Sequence, residues 1–206
     1  MREVTWCFDF ISPYAYLGFH ALHRLPEHAV LSYQPILFAG LLKHWGQKGP
    51  AEILPKRTWT YRECIWLADR AGIPFRMPAA HPFNPLPFLR LSIAAGNSSD
   101  AIGEIFRTLW ATGSDPADRD VVESLARSLG VPRDWEATGT VKSALRENTE
   151  HAAQQGVFGV PSFVIDGQVF WGCASVDFAS AYLLDPAVLE TDEIRRADSL
   201  PIGASR

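Results

Sequence analysis

Apolar side chains in the first forty residues alternate between a strand-type and a helix-type distribution. Residues 3–10 are rich in β-branched and aromatic side chains, which predicts a strand that ends before a Ser-Pro pair. Over residues 14–28 the apolar positions recur at helical spacing, and residues 30–37 return to the strand type. This part of the chain is therefore expected to form a βαβ unit.

Beyond residue 37 the pattern becomes helical and the strand signals stop. Residues 58–71 have the composition and spacing of a helix, between two loops rich in Gly and Pro. Two amphipathic stripes follow, within residues 101–110 and within residues 121–129. The middle of the chain is therefore expected to be all-helical.

Strand-type residues return in the segment 162–172. Two β-rich runs are separated there by Asp166 and Gly167, the preferred pair for a two-residue type I′ turn. We expect a β-hairpin at this point and a last helix over residues 175–184. The tail that follows has no apolar period and is expected to pack loosely.

The order of these predicted elements is βαβ, helices, ββ hairpin, helix. This is the order of an α/β, thioredoxin-like fold with an inserted all-helical domain. We assign residues 1–40 and 150–206 to the thioredoxin-like domain and residues 41–149 to the helical insertion. A functional site is expected in the cleft between the two parts.

Composition and charge exclude several classes of function. The chain has 19 Lys and Arg against 23 Asp and Glu, a net charge of -4 and no basic block, so nucleic-acid binding is not expected. The N-terminus lacks the apolar core of a signal peptide, and no run approaches the roughly 20 apolar residues of a membrane span. We expect a cytoplasmic protein with a small-molecule substrate and no membrane partner.

The cysteines and histidines do not form a recognisable metal or redox motif. Cys7, Cys64 and Cys173 form no CxxC pair and have no zinc-ligand spacing, so we expect no disulfide, no catalytic thiol and no metal site. His20 and His23 lie three residues apart on one predicted helix. Without a third ligand in register, a surface or packing role is favoured over metal binding.

The segment Ser12-Pro13-Tyr14-Ala15 lies where redox members of the thioredoxin fold carry CxxC. Neither thiol is present, so dithiol–disulfide exchange cannot run on this segment. Serine is a favoured N-cap and proline a favoured first helical residue, so local sequence alone favours a capping role for Ser12. A hydroxyl at the N-cap also faces any anion bound at the helix N-terminus, so capping and a catalytic role are compatible.

Pro161 directly precedes the predicted hairpin. In thioredoxin-like proteins this proline is cis, and it leaves the preceding residue, here Val160, open to pair its main chain with a peptide-like ligand. A plain turn proline at the start of a strand explains the local sequence equally well. We predict a cis bond between Val160 and Pro161, with Pro161 lying opposite Ser12.

Three blocks of the sequence, at residues 8–17, 81–86 and 148–172, read FDFISPYAYL, HPFNPL and NTEHAAQQGVFGVPSFVIDGQVFWG. In order and spacing they resemble the 2-hydroxychromene-2-carboxylate isomerase family, which is related to kappa-class glutathione transferases and DsbA-like proteins. The resemblance implies a glutathione-dependent cis–trans isomerisation of an aromatic keto acid in the degradation of aromatic compounds.

The resemblance also implies the roles of the residues around glutathione. Ser12 would hold the glutathione thiol or thiolate, and Val160, Pro161, Trp171 and Gly172 would bind the rest of the molecule. A helix N-terminus and a serine hydroxyl both lower a thiol pKa, so the ligand would supply the nucleophile that the protein lacks. Residue type alone favours Trp171 as a core residue at the end of a strand.

On the substrate side the resemblance points to Asn84, from the P-x-N segment of the family, and to Lys56 near the start of the first long helix. Lys43 and Trp45 lie close by in the sequence, and a carboxylate substrate needs a cation. Asn84 is explained equally well as a helix N-cap, and most lysines are merely solvated. The candidate walls of an aromatic pocket beside Ser12 are Tyr14, Phe38, Trp45 and Phe83.

The sequence departs from the family pattern at two places. The family usually continues beyond FWG with a polar residue and Asp-Arg, whereas here Ala174 stands at the acid that binds the glutathione amino group. Glu63 and Trp66 stand where the family often has Asp and Arg. Two alternatives stay open, a kappa-like glutathione transferase and a noncatalytic peptide-binding module, and a homodimer is compatible with either.

Overall fold

The structure, a computed structural model, describes residues 1–203 of the 206-residue chain. A four-stranded mixed sheet has the strand order β2-β1-β3-β4. The strands are β1 (Arg2–Phe8), β2 (Ala29–Pro35), β3 (Ser162–Ile165) and β4 (Gln168–Trp171). β1 runs parallel to β2 and antiparallel to β3, and β3 and β4 are antiparallel. The sheet therefore has the arrangement expected of a thioredoxin-like fold.

Helices cover the sheet and fill the middle of the chain. Within residues 1–203 they are α1 (Pro13–Ala21), α2 (Phe38–Trp45), α3 (Leu54–Ala71), α4 (Leu86–Ala94), α5 (Ser99–Phe106), α6 (Arg119–Ser128), α7 (Gly139–Gln154), α8 (Val176–Leu184) and α9 (Asp192–Asp198). A π-helical turn, Arg107–Ala111, continues α5. All but the last of these helices bury at least one residue.

The predicted βαβ unit is confirmed, with a shorter helix than the apolar spacing suggested. α1 ends at Ala21 and a single 3₁₀ turn follows it. Leu25 is extended, with φ of -67° and ψ of 146°, because the residue before a proline is disfavoured in the helical region. Pro26 was therefore the available stop signal, and the prediction of helix up to residue 28 was wrong.

The predicted hairpin is also confirmed. Asp166 and Gly167 connect β3 and β4 with φ values of 50° and 78°. Positive φ at both central residues is the signature of the type I′ turn, whose twist matches that of the strands. Pairing runs from Ser162 opposite Trp171 to Ile165 opposite Gln168.

The helical middle of the chain packs directly on the sheet. All of residues 41–149 are described, and they form helices and turns without a strand. α7 runs through residue 150, so the proposed domain boundary falls inside a helix that packs on β2. The side-chain amide of Asn148 on α7 donates to Pro35 O at 3.2 Å. The backbone carbonyl of Asn148 accepts from Gln34 Nε2 at 2.9 Å. The division into two domains stays a prediction.

One aromatic core joins the sheet to the helical part. Trp6 stacks on Phe8 with ring centroids 4.6 Å apart, and Phe106 of α5 lies 5.8 Å from Phe8 and 4.7 Å from Phe10. Trp110 is fully buried, and its Nε1 donates to Phe10 O at 2.9 Å. The strand end before Ser12 is thus held by side chains from the middle of the chain.

The C-terminal tail contains one exposed helix. Thr191 caps α9 by accepting from Ile194 N at 3.3 Å, and none of the residues of α9 is buried. The helix therefore depends on its cap and its local ion pairs rather than on packing, in keeping with the missing apolar period. No helix in the described part of the chain combines the length and the apolar character that crossing a membrane requires.

Replacing Trp110 by Phe should destabilise the protein by about 2–4 kcal/mol. The change leaves a cavity and removes the donor to the buried Phe10 carbonyl. Urea unfolding measures the loss, and Trp59→Phe is the control because Trp59 is 65% exposed, so its variant should stay within about 0.5 kcal/mol of the wild type. Equal losses in the two variants would contradict the role given to Trp110.

Candidate functional site

Ser12 lies between the end of β1 and the start of α1, and it caps that helix. Its side chain accepts from Ala15 N at 3.1 Å, and Pro13 follows as the first helical residue. Ser12 is only 8% exposed. The capping role that local sequence favours is therefore present. Helix geometry leaves the Tyr14 N–H, in the same turn, without an intrahelical acceptor.

The Val160–Pro161 segment lies opposite Ser12. The predicted cis peptide bond is present, and Ser12 Oγ is 3.5 Å from Val160 O, at the outer limit of hydrogen bonding. Pairing of β3 with β1 begins only at Ser162, so Val160 lies beyond the ladder. The structure thus brings together two segments separated by about 150 residues, as the sequence predicted.

A buried carboxylate, Asp9, organises the start of two helices. Its Oδ1 accepts from Ile11 N at 3.0 Å, its Oδ2 accepts from Phe38 N at 2.9 Å, and its carbonyl accepts from Ser12 N at 3.1 Å. Burial raises the pKa of Asp9 to about 7, while the two N–H donors act in the opposite direction. Asp9 therefore ties the end of β1 to the starts of α1 and α2.

His81 holds the backbone on the other side of Ser12. Its Nε2 donates to Ile11 O at 2.8 Å, because a carbonyl can only accept, and its Nδ1 lies 2.7 Å from the Tyr61 hydroxyl. Burial lowers the pKa of His81, and the nearby Arg57 charge lowers it further, against the effect of the Ile11 bond. The lowered pKa favours the neutral imidazole, whose proton lies on Nε2 toward Ile11 O. The Tyr61 hydroxyl also lies 3.0 Å from His81 O, so Tyr61 contacts both the ring and the main chain of His81.

The first turn of α1 also contacts α3. The Tyr14 hydroxyl donates to Glu63 in a short hydrogen bond, and burial, together with that bond, raises the pKa of Tyr14. Glu63 was singled out because it departs from the family pattern, and here it accepts from a residue two positions beyond Ser12. The hydrogen bond to Glu63 therefore fixes the Tyr14 side chain against α3.

Trp171 is exposed at the end of β4, so the core role that its residue type favours is wrong. Trp171 is 58% exposed, and its ring lies 5.1 Å, centroid to centroid, from that of Phe158. The indole rests against Gly159, where an added Cβ would collide with it. Gly172, with φ of 100°, donates to Pro161 O at 2.9 Å, which holds the end of β4 beside the proline. Phe158 and Trp171 form an exposed aromatic surface beside Val160.

The predicted substrate residues lie on separate elements. Asn84 is exposed, and its Oδ1 accepts from Leu86 N at 3.1 Å. The N-cap of α4 is Pro85, so the alternative that Asn84 is the N-cap is wrong by one residue. Lys43 and Lys56 are exposed on α2 and α3, and Trp45 on α2 is 43% exposed, with Nε1 donating to Val157 O at 2.9 Å. Their roles toward a substrate stay predictions.

The cysteines are free thiols. Cys7 and Cys64 are buried and Cys173 is half-buried. Burial raises the pKa of all three thiols, the direction opposite to that of a reactive thiolate. The His23 ring contacts main chain, because its Nδ1 lies 2.8 Å from His20 O. Among residues 1–203 no three His, Cys, Asp or Glu side chains group as metal ligands would.

The residues that contact the backbone before Ser12 were not among the predicted site residues. Asp9 and His81 both stand in the blocks that carry the resemblance, and an acid between two phenylalanines was an available signal. Tyr61 and Arg57 carried no local signal, because their relation to His81 depends on the packing of α3. Asp9 and His81 position the backbone around Ser12, and Tyr61 contacts His81 from α3.

Comparisons with known proteins agree with this geometry. A family model of the DSBA-like thioredoxin domain matches residues 3–184. The 2-hydroxychromene-2-carboxylate isomerase of Sphingobium xenophagum is 28% identical over 196 residues, covering 89% of this chain and 99% of its own. The glutathione S-transferase kappa 2 of Caenorhabditis elegans is 29% identical over 209 aligned positions, covering 90% of this chain and 93% of its own.

A solved structure of a 2-hydroxychromene-2-carboxylate isomerase superposes on this chain with a TM-score of 0.76. The match covers 97% of this chain and 100% of the other, at 21% identity. At that identity the superposition speaks for the fold alone, and it confirms the predicted thioredoxin-like architecture.

Asp9→Asn should flatten the dependence of stability on pH. The pKa of Asp9 rises from 3.8 to about 7 on folding, so its protonated form contributes stability below about pH 4 that is lost as the pH rises through about 7. One proton corresponds to about 1.4 kcal/mol per pH unit. Urea unfolding between those limits measures the slope, and Asp185→Asn, an exposed control, should keep the wild-type slope. An unchanged slope in Asp9→Asn would contradict the assignment.

Proposed function

Because the chain belongs to the DSBA-like thioredoxin domain family, we propose that it is a glutathione-dependent cis–trans isomerase acting on an aromatic keto acid similar to 2-hydroxychromene-2-carboxylate. Its relatives include an isomerase and a kappa-class glutathione transferase of comparable identity. The observation that carries the proposal is the Ser12 hydroxyl at the N-terminus of α1, facing Val160. The process served would be the degradation of aromatic compounds.

The residues around Ser12 suit a thiol ligand. A helix N-terminus favours an anion, and α1 presents there the Tyr14 N–H together with the Ser12 hydroxyl. Val160 lies beyond the β-ladder and has its main chain beside Ser12. Pro161, Trp171 and Gly172 would hold the remainder of the glutathione molecule. Bound glutathione would supply the thiolate nucleophile that the raised thiol pKa values deny to the protein's own cysteines.

The proton of the Ser12 hydroxyl is available to such a ligand. The oxygen already accepts from Ala15 N, so the hydroxyl can still donate. Its partner in the structure, Val160 O at 3.5 Å, is too distant for a strong bond. Ser12 would therefore cap the helix with its lone pair and stabilise a sulfur anion with its proton.

Exposed cations on α2 and α3 are the candidates for binding a carboxylate substrate. Lys43 and Lys56 are exposed on α2 and α3, and Asn84 and Trp45 would complete the contacts to the substrate. Arg57 adds a half-buried cation on α3, close enough to His81 for its charge to lower that residue's pKa. His81 in turn contacts the residue before Ser12.

A kappa-like glutathione transferase is the second candidate function, favoured by the 29% identity to the kappa 2 enzyme. The two activities differ in their stoichiometry, because an isomerase regenerates glutathione and a transferase consumes it. Conversion of 2-hydroxychromene-2-carboxylate, followed by absorbance while free thiol is titrated, distinguishes them. We expect turnover that requires glutathione and leaves its concentration unchanged.

Ser12→Ala should lower kcat/KM by about 10 to 1000 fold, because a donor to the sulfur anion is lost. The variant also loses a helix cap, worth about 1 kcal/mol of stability. Ser98→Ala is the matched control: Ser98 caps α5 by accepting from Ala101 N at 3.2 Å, the same contact that Ser12 makes with Ala15. It should lose similar stability and keep full activity.

Two outcomes of this comparison would count against the proposal. Unchanged turnover in a folded Ser12→Ala protein would leave Ser12 as a cap only. Loss of turnover in Cys173→Ala, with Ser12→Ala silent, would transfer the nucleophilic role to the protein's own thiol.

Ala174→Asp should strengthen glutathione binding by about ten to a hundred fold. Ala174 is exposed in the 3₁₀ turn after Gly172, and an acid there would gain a charge-assisted hydrogen bond to the glutathione amino group, worth roughly 1.5–3 kcal/mol. Calorimetry measures the dissociation constant, with Ala197→Asp on α9 as a control for net charge. If neither the wild type nor Ala174→Asp binds glutathione, the proposed glutathione-dependent function is wrong.

A further inference from the structure

A cavity of about 350 Å³ lies where α2, α4 and α7 meet. None of the residues proposed above to bind glutathione or the aromatic substrate lines it. The side chains that decide its chemistry are Leu37, Leu86, Leu145, Arg90, Lys142 and Arg146. Its volume lies in the range of small-molecule sites.

The charged lining of the cavity is predominantly basic. Arg90, Lys142 and Arg146 face a single carboxylate, that of Glu150. Arg146 Nε lies 3.9 Å from Glu150 Oε1, and both side chains are well exposed, so this pair is weak. Within residues 1–203, Arg90 and Lys142 form no ion pair. The cavity therefore has two cations to offer an anion.

Arg90 carries a donor that the protein does not satisfy. Its Nε is buried from solvent and has no hydrogen-bond partner among the described residues. A guanidinium is permanently charged and has five N–H donors, and a buried donor without an acceptor is destabilising. Arginine pairs with carboxylates and phosphates through two parallel hydrogen bonds, so a guanidinium that lines the cavity without an ion pair is suited to an anion there.

The apolar lining decides between the two kinds of anion. Leu37, Leu86 and Leu145 line the same space as the cations, one from each side of the α2, α4 and α7 junction. Leu145 is only 4% exposed, so the apolar surface in contact with water belongs to the half-buried Leu37 and Leu86. An inorganic phosphate would leave that surface against water, whereas a carboxylate attached to a ring or an alkyl group would cover it. The lining thus favours an organic carboxylate.

The walls of the cavity are held rigidly in place. A Cβ on Gly40 would come within 2.8 Å of Thr149 Cγ2, so α2 and α7 lie as close as a glycine permits. Thr149 Oγ1 accepts from Leu37 N at 2.9 Å and donates to Leu145 O at 2.7 Å. These bonds fix two of the three apolar residues relative to the cations, and a site formed in advance binds at a lower entropic cost.

We propose that this cavity is a binding site for a small organic carboxylate with an apolar body, separate from the site at Ser12. The carboxylate pairs with the Arg90 guanidinium and lies near the Lys142 ammonium. The apolar body covers Leu37 and Leu86. This inference does not rest on the function proposed for Ser12.

Calorimetric titration of the full chain with 2-naphthoate tests the inference. Arg90→Gln should weaken binding by about ten fold or more, as expected for loss of a charge-assisted pair, and Lys142→Gln should weaken it by about three fold. Arg133→Gln is the matched control, since Arg133 is an exposed arginine outside the cavity. Both Arg133→Gln and Ser12→Ala should bind as the wild type does, and inorganic phosphate should bind more weakly than 2-naphthoate.

Four results would overturn the inference. They are no binding of 2-naphthoate by the wild type at millimolar concentration, wild-type affinity in both cavity variants, loss of binding in Ser12→Ala, and tighter binding of phosphate than of 2-naphthoate. Lys142 is exposed, so if Arg90→Gln does not fold, the Lys142→Gln titration decides the question alone.

Discussion

The buried carboxyl group of Asp9 fixes the backbone on which the rest of the site depends. One oxygen accepts from Ile11 N, the other from Phe38 N, and the carbonyl of the same residue accepts from Ser12 N. A strand end and two helix starts are therefore tied to one side chain that has no contact with solvent. Buried backbone amides need acceptors, so the Asp9 side chain favours the one loop conformation in which these amides are paired.

The helical middle of the chain completes the same restraint. Trp110 donates to Phe10 O, and His81 donates to Ile11 O, so both carbonyls between Asp9 and Ser12 are taken by residues 70 or more positions away. The Ser12 hydroxyl consequently lies on backbone that is held from the sheet and from the helices at once. The helical middle of the chain thus restrains the backbone that carries Ser12 without contributing to the segment itself.

Local sequence patterns identified the strands and the cap at Ser12, and they did not identify the residues that support Ser12. Runs of β-branched and aromatic residues, with the Asp166-Gly167 turn, identified both halves of the sheet, and the Ser-Pro pair identified the cap. The contact of Asp9 with Phe38 and that of His81 with Ile11 join segments 29 and 70 residues apart, and no periodicity records them. Trp171 shows a second limit of prediction from sequence. Its residue type favours burial, but its position at the end of β4, against the main chain of Gly159, leaves it exposed.

The contact between Gly159 and the Trp171 indole links two positions in a way that bears on how this surface diverges. The indole lies directly on the main chain at residue 159, in space that any side chain would occupy. A homologue with a larger residue at 159 must therefore place its aromatic ring elsewhere or lack it, so the two positions are expected to change together. The shape of the surface beside Val160 therefore depends on the missing Cβ atom of Gly159, which leaves room for the indole.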